Sequence, residues 1–322
     1  MKSNHLLSSQ DISRIDILLS TYQGAEYLEA LLDSLVAQSY PHWRLIIRDD
    51  GSSDQTRVLI ERFVQQHPKQ ALWLDSESGR LGCCASFATL LSAADAPYLM
   101  FCDQDDIWLP EKIALTLDAM HVAELNTPTT PLLVHTDLKV VNRDLQIIAS
   151  SFWAYAKLNP DHAELHQLLV QNVITGNTLM INQATKQLAL PIPEAAIMHD
   201  WWLALIGAAF GKIIAVKQPT ILYRQHSHNA IGAKTFKLQK LLQKLLQLNA
   251  HRFLLATQRQ ASAFGRQFES LLDQEIHGMI FAYSNLGHYN FIKKLALIFT
   301  YKFYANSLSQ NLSNIVSFLL MK

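Results

Sequence analysis

The first hundred residues alternate short aliphatic runs with segments of helical periodicity, and this rhythm constrains the fold more than any other feature of the chain. Ile15–Ser20 reads as a strand that stops at the turn-prone Ser20-Thr21-Tyr22-Gln23-Gly24. Glu26–Gln38 carries Leu28, Leu31, Leu32, Leu35 and Val36 at helical spacing, and Pro41 closes the connection. Trp43–Arg48 is a second strand, followed by Asp49-Asp50-Gly51-Ser52-Ser53-Asp54 and a helix to about Gln66. Leu72–Leu74 is a third strand, Ser86–Ala93 a helix and Pro97–Cys102 a fourth strand. Strands separated by helices predict an α/β fold with a mainly parallel central sheet and helices on both faces. Ligands of such sheets sit at the carboxyl ends of the strands.

That rule gives three distant polar segments one location. Ser20-Thr21-Tyr22, Asp49-Asp50-Gly51-Ser52 and Asp103-Gln104-Asp105-Asp106 each lie just past a strand end, so they converge on a single crevice. Helix capping by Ser53 or Asp54 explains part of the second segment. It does not explain paired acids at the tip of a buried strand. Clustered carboxylates raise one another's pKa unless a cation sits among them, so Asp103, Asp105 and Asp106 point to a divalent cation with phosphate oxygens. The expected substrate is phosphorylated and nucleotide-linked.

Composition narrows the setting. At 322 residues, 49% hydrophobic and 17% charged, the chain can bury a full core. Cys83, Cys84 and Cys102 form neither a disulfide framework nor a zinc pattern, which predicts a reducing, cytoplasmic compartment. Met1–Arg14 is polar and lacks the apolar core of a signal peptide. The formal net charge of zero hides two halves: residues 1–233 carry 16 Lys/Arg against 24 Asp/Glu, and residues 234–322 carry 11 against 3. A basic tail predicts an anionic partner. Leu238, Leu241, Leu242, Leu245 and Leu248 share a helical face beside Lys237, Lys240 and Lys244, and Tyr289–Tyr304 mixes lysines with aromatics, which favours a membrane surface over nucleic acid. No apolar stretch is long enough to span a bilayer. The competing expectation is that these helices pack on the rest of the chain with their lysines solvated.

The second half adds further candidates. Residues 132–141 read as a strand with a polar interruption at His135-Thr136-Asp137; Asp137 suits a substrate contact, a turn or a salt bridge. Gln171–Ile181 reads as a strand broken at Gly176-Asn177, where a bulge is the plain explanation. His199-Asp200-Trp201-Trp202 opens an apolar helix, with Asp200 placed to cap it. One Trp is expected in the core and the other as a platform for a sugar ring. Ile213–Val216 and Thr220–Tyr223 read as short strands leading to Arg224-Gln225-His226-Ser227-His228. Arg80 is a candidate nucleotide contact.

The ordered set Ser20-Thr21-Tyr22-Gln23-Gly24, Ile47-Arg48-Asp49-Asp50-Gly51-Ser52-Ser53-Asp54-Gln55-Thr56 and Phe101-Cys102-Asp103-Gln104-Asp105-Asp106-Ile107-Trp108 resembles the family 2 glycosyltransferases of GT-A fold. The variant Asp103-Gln104-Asp105-Asp106-Ile107-Trp108 is similar to bacterial rhamnosyltransferase-like members that build surface polysaccharides. The resemblance covers roughly residues 14–232, through Tyr223–Gly232, and so divides the chain into a catalytic domain (1–232) and a C-terminal helical appendage (233–322). It implies that Tyr22 stacks on the nucleobase, that Asp50 accepts from the base edge, and that Ser20 and Thr21 add polar contacts. It implies that Asp103 and Asp105 bracket the ribose and a Mg²⁺ or Mn²⁺ on the diphosphate, with Asp105 the direct ligand and His226, or else His228, joining it. Gly176 and Asn177 would flank the donor sugar and acceptor. Asp200 would be the general base of an inverting transfer. Ser86 departs from the asparagine often found there, which leaves the donor contacts of that stretch open. Asp106 is expected to cap the following turn or pair with Lys112.

The implied activity is transfer of a deoxyhexose, L-rhamnose from dTDP-β-L-rhamnose, to a lipid-linked oligosaccharide at the inner face of the membrane. The alternatives are a UDP-hexose donor or a non-catalytic carbohydrate-binding protein. A haloacid dehalogenase-type phosphatase shares the Asp-x-Asp but places it after the first strand, and a nucleotidyltransferase would open with a Gly-rich basic loop.

Overall fold

The computed structural model describes residues 13–74, 79–125, 127, 129–225 and 239–320. β1 (Ile15–Thr21), α1 (Leu28–Val36), β2 (Trp43–Asp49), α2 (Thr56–Gln66), β3 (Ala71–Trp73), α3 (Cys83–Ala93) and β4 (Tyr98–Asp103) follow the expected alternation. Then come β5 (Ile107–Trp108), α4 (Lys112–Glu124), β6 (Leu132–Val141), β7 (Ile147–Ala149), α5 (Phe152–Ala156), α6 (Leu165–Leu168), β8 (Met180–Asn182), α7 (Gln183–Ala189), α8 (His199–Phe210) and β9 (Lys212–Arg224). Four helices end the described chain: α9 (Gln239–Gln267), α10 (Gln274–Ser284), α11 (Phe291–Tyr301) and α12 (Leu308–Leu320).

One nine-stranded sheet runs β3-β2-β1-β4-β8-β6-β9-β5, with β7 on β6. The first four strands are parallel. Beyond β4 the sheet is mixed, because the short β8 runs antiparallel to both β4 and β6 while β6 and β9 are parallel.

Side-chain alternation sorts the core into two layers. Ile17, Leu45, Ile47 and Met100 face α1, α2 and α4. Leu18, Ile46, Leu99 and Phe101 face α3 and α8. Two residues further along, the same parity carries Ser20, Arg48 and Asp103 onto that second face, and the register aligns Ser20 with both Arg48 and Asp103. The period of a strand therefore delivers polar groups from three strands to one side of the sheet.

The second layer also contains the C-terminal helices. Leu254, Phe264, Phe268, Ile280, Tyr283, Ile298 and Phe318 belong to the same apolar cluster as Phe101 and Trp202. Phe264 meets the Trp202 ring at 5.3 Å and Phe268 stacks on it at 6.0 Å. Each such fully buried large side chain contributes about 1.5–3 kcal/mol. The boundary expected at 232/233 thus divides the sequence, while the core runs across it.

Two expectations differ locally. Gln171–Thr175 is irregular, and Gly176–Thr178 forms a single 3-10 turn before the three residues of β8. Val173 and Ile174 are buried as loop residues, which is why their sequence resembles a strand. Conversely, Ile213–Tyr223 is one strand: β9 passes through Pro219 where its register against β6 shifts opposite Asp137.

Candidate active site

The Ser20–Gly24 and Asp49–Thr56 loops are stitched together by side chains. The Asp49 carboxylate accepts from Thr21 Oγ1 (2.9 Å), Ser52 N (2.8 Å) and Ser52 Oγ (2.6 Å). Gln23, at φ 51°, donates through its amide N to Ser52 Oγ and accepts from the amides of Ser53 and Asp54. Asp54 accepts from the Thr56 and Ala25 amides at the start of α2, although the cap position itself falls on Gln55. Gln104 completes the seam, accepting from Tyr22 N (2.8 Å) and donating to Tyr22 O (2.9 Å). A Cβ on Gly24 would lie 2.2 Å from Gln104 Oε1, so only glycine allows this approach.

Asp50 is buried at the next level. Its carboxylate accepts from Arg48 Nη1 (2.7 Å) and from the Leu81 and Gly82 amides (2.6 and 2.8 Å). Burial pushes its pKa up, but Arg48 and the two amides outweigh this and hold it below the ordinary carboxylate value. Arg48 is fully buried and also donates to Ser86 Oγ and the Gly79 carbonyl. Ser86 therefore serves the guanidinium beneath the pocket. The loop fixed in this way brings the Arg80 guanidinium 4.1 Å over the ring of Tyr22, whose side chain is exposed. This pair forms a flat, cationic rim.

Asp103 ends β4 on the α3–α8 face. Burial, then the charges of Asp105 and Asp200, raise its carboxyl to about 7. Among the described residues nothing donates a hydrogen bond to it, and no group of three or more His, Cys, Asp and Glu is gathered into a cage. Two carboxylates two positions apart, at Asp103 and Asp105, suit a hard divalent cation that completes its shell with phosphate oxygens and water. His226 and His228, expected as further ligands, lie outside the described residues.

Asp106 departs from expectation. It is fully buried and accepts from Asn177 Nδ2 and from the Arg224 amide (3.1 Å). Arg224 Nε in turn donates to the Asp105 carbonyl at 3.0 Å. Lys112 feels the charge of Asp106, but its Nζ has no hydrogen-bond partner and rests over the Trp108 ring at 4.6 Å. The third acid is thus neither a turn cap nor a salt-bridge partner; it ties the end of β4 to the 3-10 turn and to the end of β9. Asn177 is buried in that tie, and Gly176 lines the site beside it.

Asp200 stands in the first turn of α8, where its carboxylate accepts from Trp201 N at 2.6 Å and from the Gly176 amide. Burial raises its pKa to about 7 despite these donors. His199 behind it is wedged between Phe87 and Phe101, with ring centroids 4.0 and 5.0 Å away, and neither ring nitrogen has a partner. Both neighbouring tryptophans are core: Trp201 Nε1 donates to Leu168 O and Trp202 Nε1 to Ala189 O. The expectation of a sugar platform at one of them is corrected, since an indole whose face and N–H are both engaged cannot also meet solvent. Asp137 is likewise structural, accepting from the amides of Leu138, Phe152 and Trp153 at the start of α5.

Arg48, Gln104 and Asp106 as organisers escaped the sequence reading. Arg48 has one legible signal, a cation directly after the three apolar strand positions Leu45, Ile46 and Ile47; Gln104 and Asp106 act through partners far away in sequence.

A Rossmann-like parallel half, a mixed second half and acids gathered at the strand ends define a nucleotide-sugar transferase of GT-A type. Comparison with known proteins agrees: the model of "Glycosyl transferase family 2" matches residues 16–181, and the chain belongs to that family. The dTDP-rhamnosyl transferase RfbG of Shigella flexneri is 26% identical over 219 residues, 67% of this chain and 74% of its own. Among solved structures, S. aureus TarS 1–349 in complex with UDP-GlcNAc superimposes with a TM-score of 0.58 at 14% identity, covering 94% of this chain and 79% of that one. The mannosyltransferase PcManGT of Pyrobaculum calidifontis, in complex with GDP-Man and Mn²⁺, gives 0.57 at 14% identity, covering 96% and 85%. The chain is a glycosyltransferase with the GT-A fold.

Proposed function

We propose that this glycosyltransferase moves a deoxyhexose, L-rhamnose from dTDP-β-L-rhamnose, with inversion onto a lipid-linked oligosaccharide in bacterial surface polysaccharide synthesis. The observation that supports an inverting transfer is the approach of Asp200 to Asp103 across the α3–α8 face: one acid lies at the strand ends and the other opposite, at a helix start. The donor assignment draws on the similarity to the Shigella flexneri rhamnosyl transferase. A lipid-linked acceptor suits the basic C-terminal region, which would meet the inner membrane surface.

In this reading the base slides between Tyr22 and Arg80, opening their contact, and Asp50, which holds the loop that carries Arg80, accepts from the base edge. Ser20 and Thr21 close the floor. Asp105, with Asp103 beside it and His226 as a further ligand, would hold Mg²⁺ or Mn²⁺; the bound cation supplies neutralisation of the leaving diphosphate. Asp200 takes the proton of the acceptor hydroxyl as that oxygen attacks the anomeric carbon. A carboxyl raised to about 7 is well matched to accept a proton near neutrality.

A panel of dTDP-, UDP- and GDP-sugars, each with and without EDTA and scored by nucleoside diphosphate release, tests the assignment. Release from dTDP-rhamnose that EDTA abolishes is expected. Release from a UDP-hexose instead would move the donor, and release unaffected by EDTA would remove the metal.

A further inference from the structure

Helix α11 presents large apolar side chains to solvent as well as to the core. Its inward positions are Lys294, 3% exposed, and Ile298, fully buried. Outward it presents Phe291 (58% exposed), Ile292 (79%) and Phe299 (59%). At 3.6 residues per turn these three fall, with Leu295 and Ala296, within roughly 140° of arc, so they make one continuous apolar stripe. α12, packed against α11, adds the exposed Leu312 and Val316 one turn apart. Isolated exposed apolar side chains are ordinary, but a stripe along a well-formed helix calls for a partner.

Charge identifies the partner's chemistry. Lys293, its Nζ over the Tyr289 ring at 4.5 Å, and Lys302 flank the stripe and are both exposed. Residues 234–322 carry 11 Lys/Arg against 3 Asp/Glu. Apolar side chains with aromatics at the boundary and lysines beside them match the interface of an anionic bilayer. Among the described residues no helix is long and apolar enough to cross a membrane, so this contact lies in the plane of the leaflet.

We propose that the α11–α12 surface is an in-plane membrane-docking face, with Phe291, Ile292 and Phe299 entering the acyl boundary of an anionic leaflet. The proposal deepens the reading of a lipid-linked acceptor by naming the residues that bring the enzyme to it. Because the inner positions of α11 and α12 are fixed in the shared core, docking here holds the catalytic body at the bilayer without a flexible tether.

The test is co-sedimentation of the full chain with phosphatidylglycerol/phosphatidylethanolamine vesicles and with phosphatidylcholine vesicles, without donor. The wild type is expected to bind the anionic vesicles more strongly, and the double variant Phe291→Glu/Phe299→Glu to lose roughly tenfold or more in partitioning. Thermal melting and nucleoside diphosphate binding of the variant should match the wild type, since both side chains face outward. Failure of nucleotide binding in the wild type would count against the glycosyltransferase reading and leave vesicle binding to be scored separately. Equal sedimentation of variant and wild type, or no binding by the wild type, overturns the proposal. A wild-type dimer that the variant dissociates in the absence of vesicles overturns it too, in favour of a second copy of the chain.

Discussion

Gly176→Ala is a one-carbon change that bears directly on the placement of Asp200. A Cβ at this position would lie 3.0 Å from His199 Nε2, 3.3 Å from His199 Cε1 and 3.5 Å from Asp200 Oδ2. Gly176 does not have a left-handed backbone, so the effect comes from this contact alone. His199 cannot retreat, because Phe87 and Phe101 hold its two faces. Either the 3-10 turn or the start of α8 must shift, and overpacking of this kind costs about 1–3 kcal/mol. The Gly176 amide also donates to Asp200, so the shift reaches the proposed base directly. Misplacement of a catalytic group by about 1 Å costs on the order of a hundredfold in rate. Steady-state kinetics should therefore show kcat reduced about a hundredfold with the donor KM nearly unchanged, together with a melting temperature lowered by a few degrees. Wild-type kcat in a variant with a wild-type melting curve would refute the contact as the determinant of Asp200 geometry.

Other consequences follow from the same contacts. Burial lowers the pKa of His135 to about 4 and of His199 to about 3. Because both values lie below the unfolded 6.5, stability is full above that pH and is lost as pH falls toward 4 and 3, at up to about 1.4 kcal/mol per unit for each histidine. Denaturant midpoints measured against pH should show this acid slope, and His135→Phe should flatten it by one proton's worth. Arg80→Ala, at an exposed position, should weaken nucleoside diphosphate binding by about 0.5–2 kcal/mol in calorimetry without moving the melting temperature. Deleting residues 234–322 should abolish cooperative unfolding, since it strips Phe264 and Phe268 from Trp202; a truncated chain that melts cooperatively would show that the catalytic body is independent.

The parallel half was legible in the sequence because its signals are local. Leu18 and Phe101 alternate with Ile17 and Met100, and two-residue periodicity alone carries Ser20 and Asp103 to the α3–α8 face. The polar loops after β1, β2 and β4 were legible for the same reason. What each acid does there was less so. Asp49 and Asp106 look like Asp50 and Asp105 in sequence, yet Asp49 is spent on its own turn and Asp106 on Asn177, 71 positions away. That Trp201 and Trp202 are both core, rather than one of them, is not legible, because the C-terminal helices cover α8 and no pattern local to residues 199–210 announces that cover. Gln171–Thr175 was misjudged because a buried loop and a strand demand the same apolar residues.

The proposed mechanism makes Asp200 the base of a transfer whose donor is held at the Asp103–Asp105 corner. Asp200→Asn separates proton transfer from donor binding, because it keeps the side chain's shape and the acceptor for Trp201 N while removing its basicity. Transfer from the preferred donor should fall roughly 10²–10⁴-fold, with nucleoside diphosphate affinity unchanged by calorimetry. Transfer within a few-fold of wild type at equal nucleotide occupancy would contradict the account.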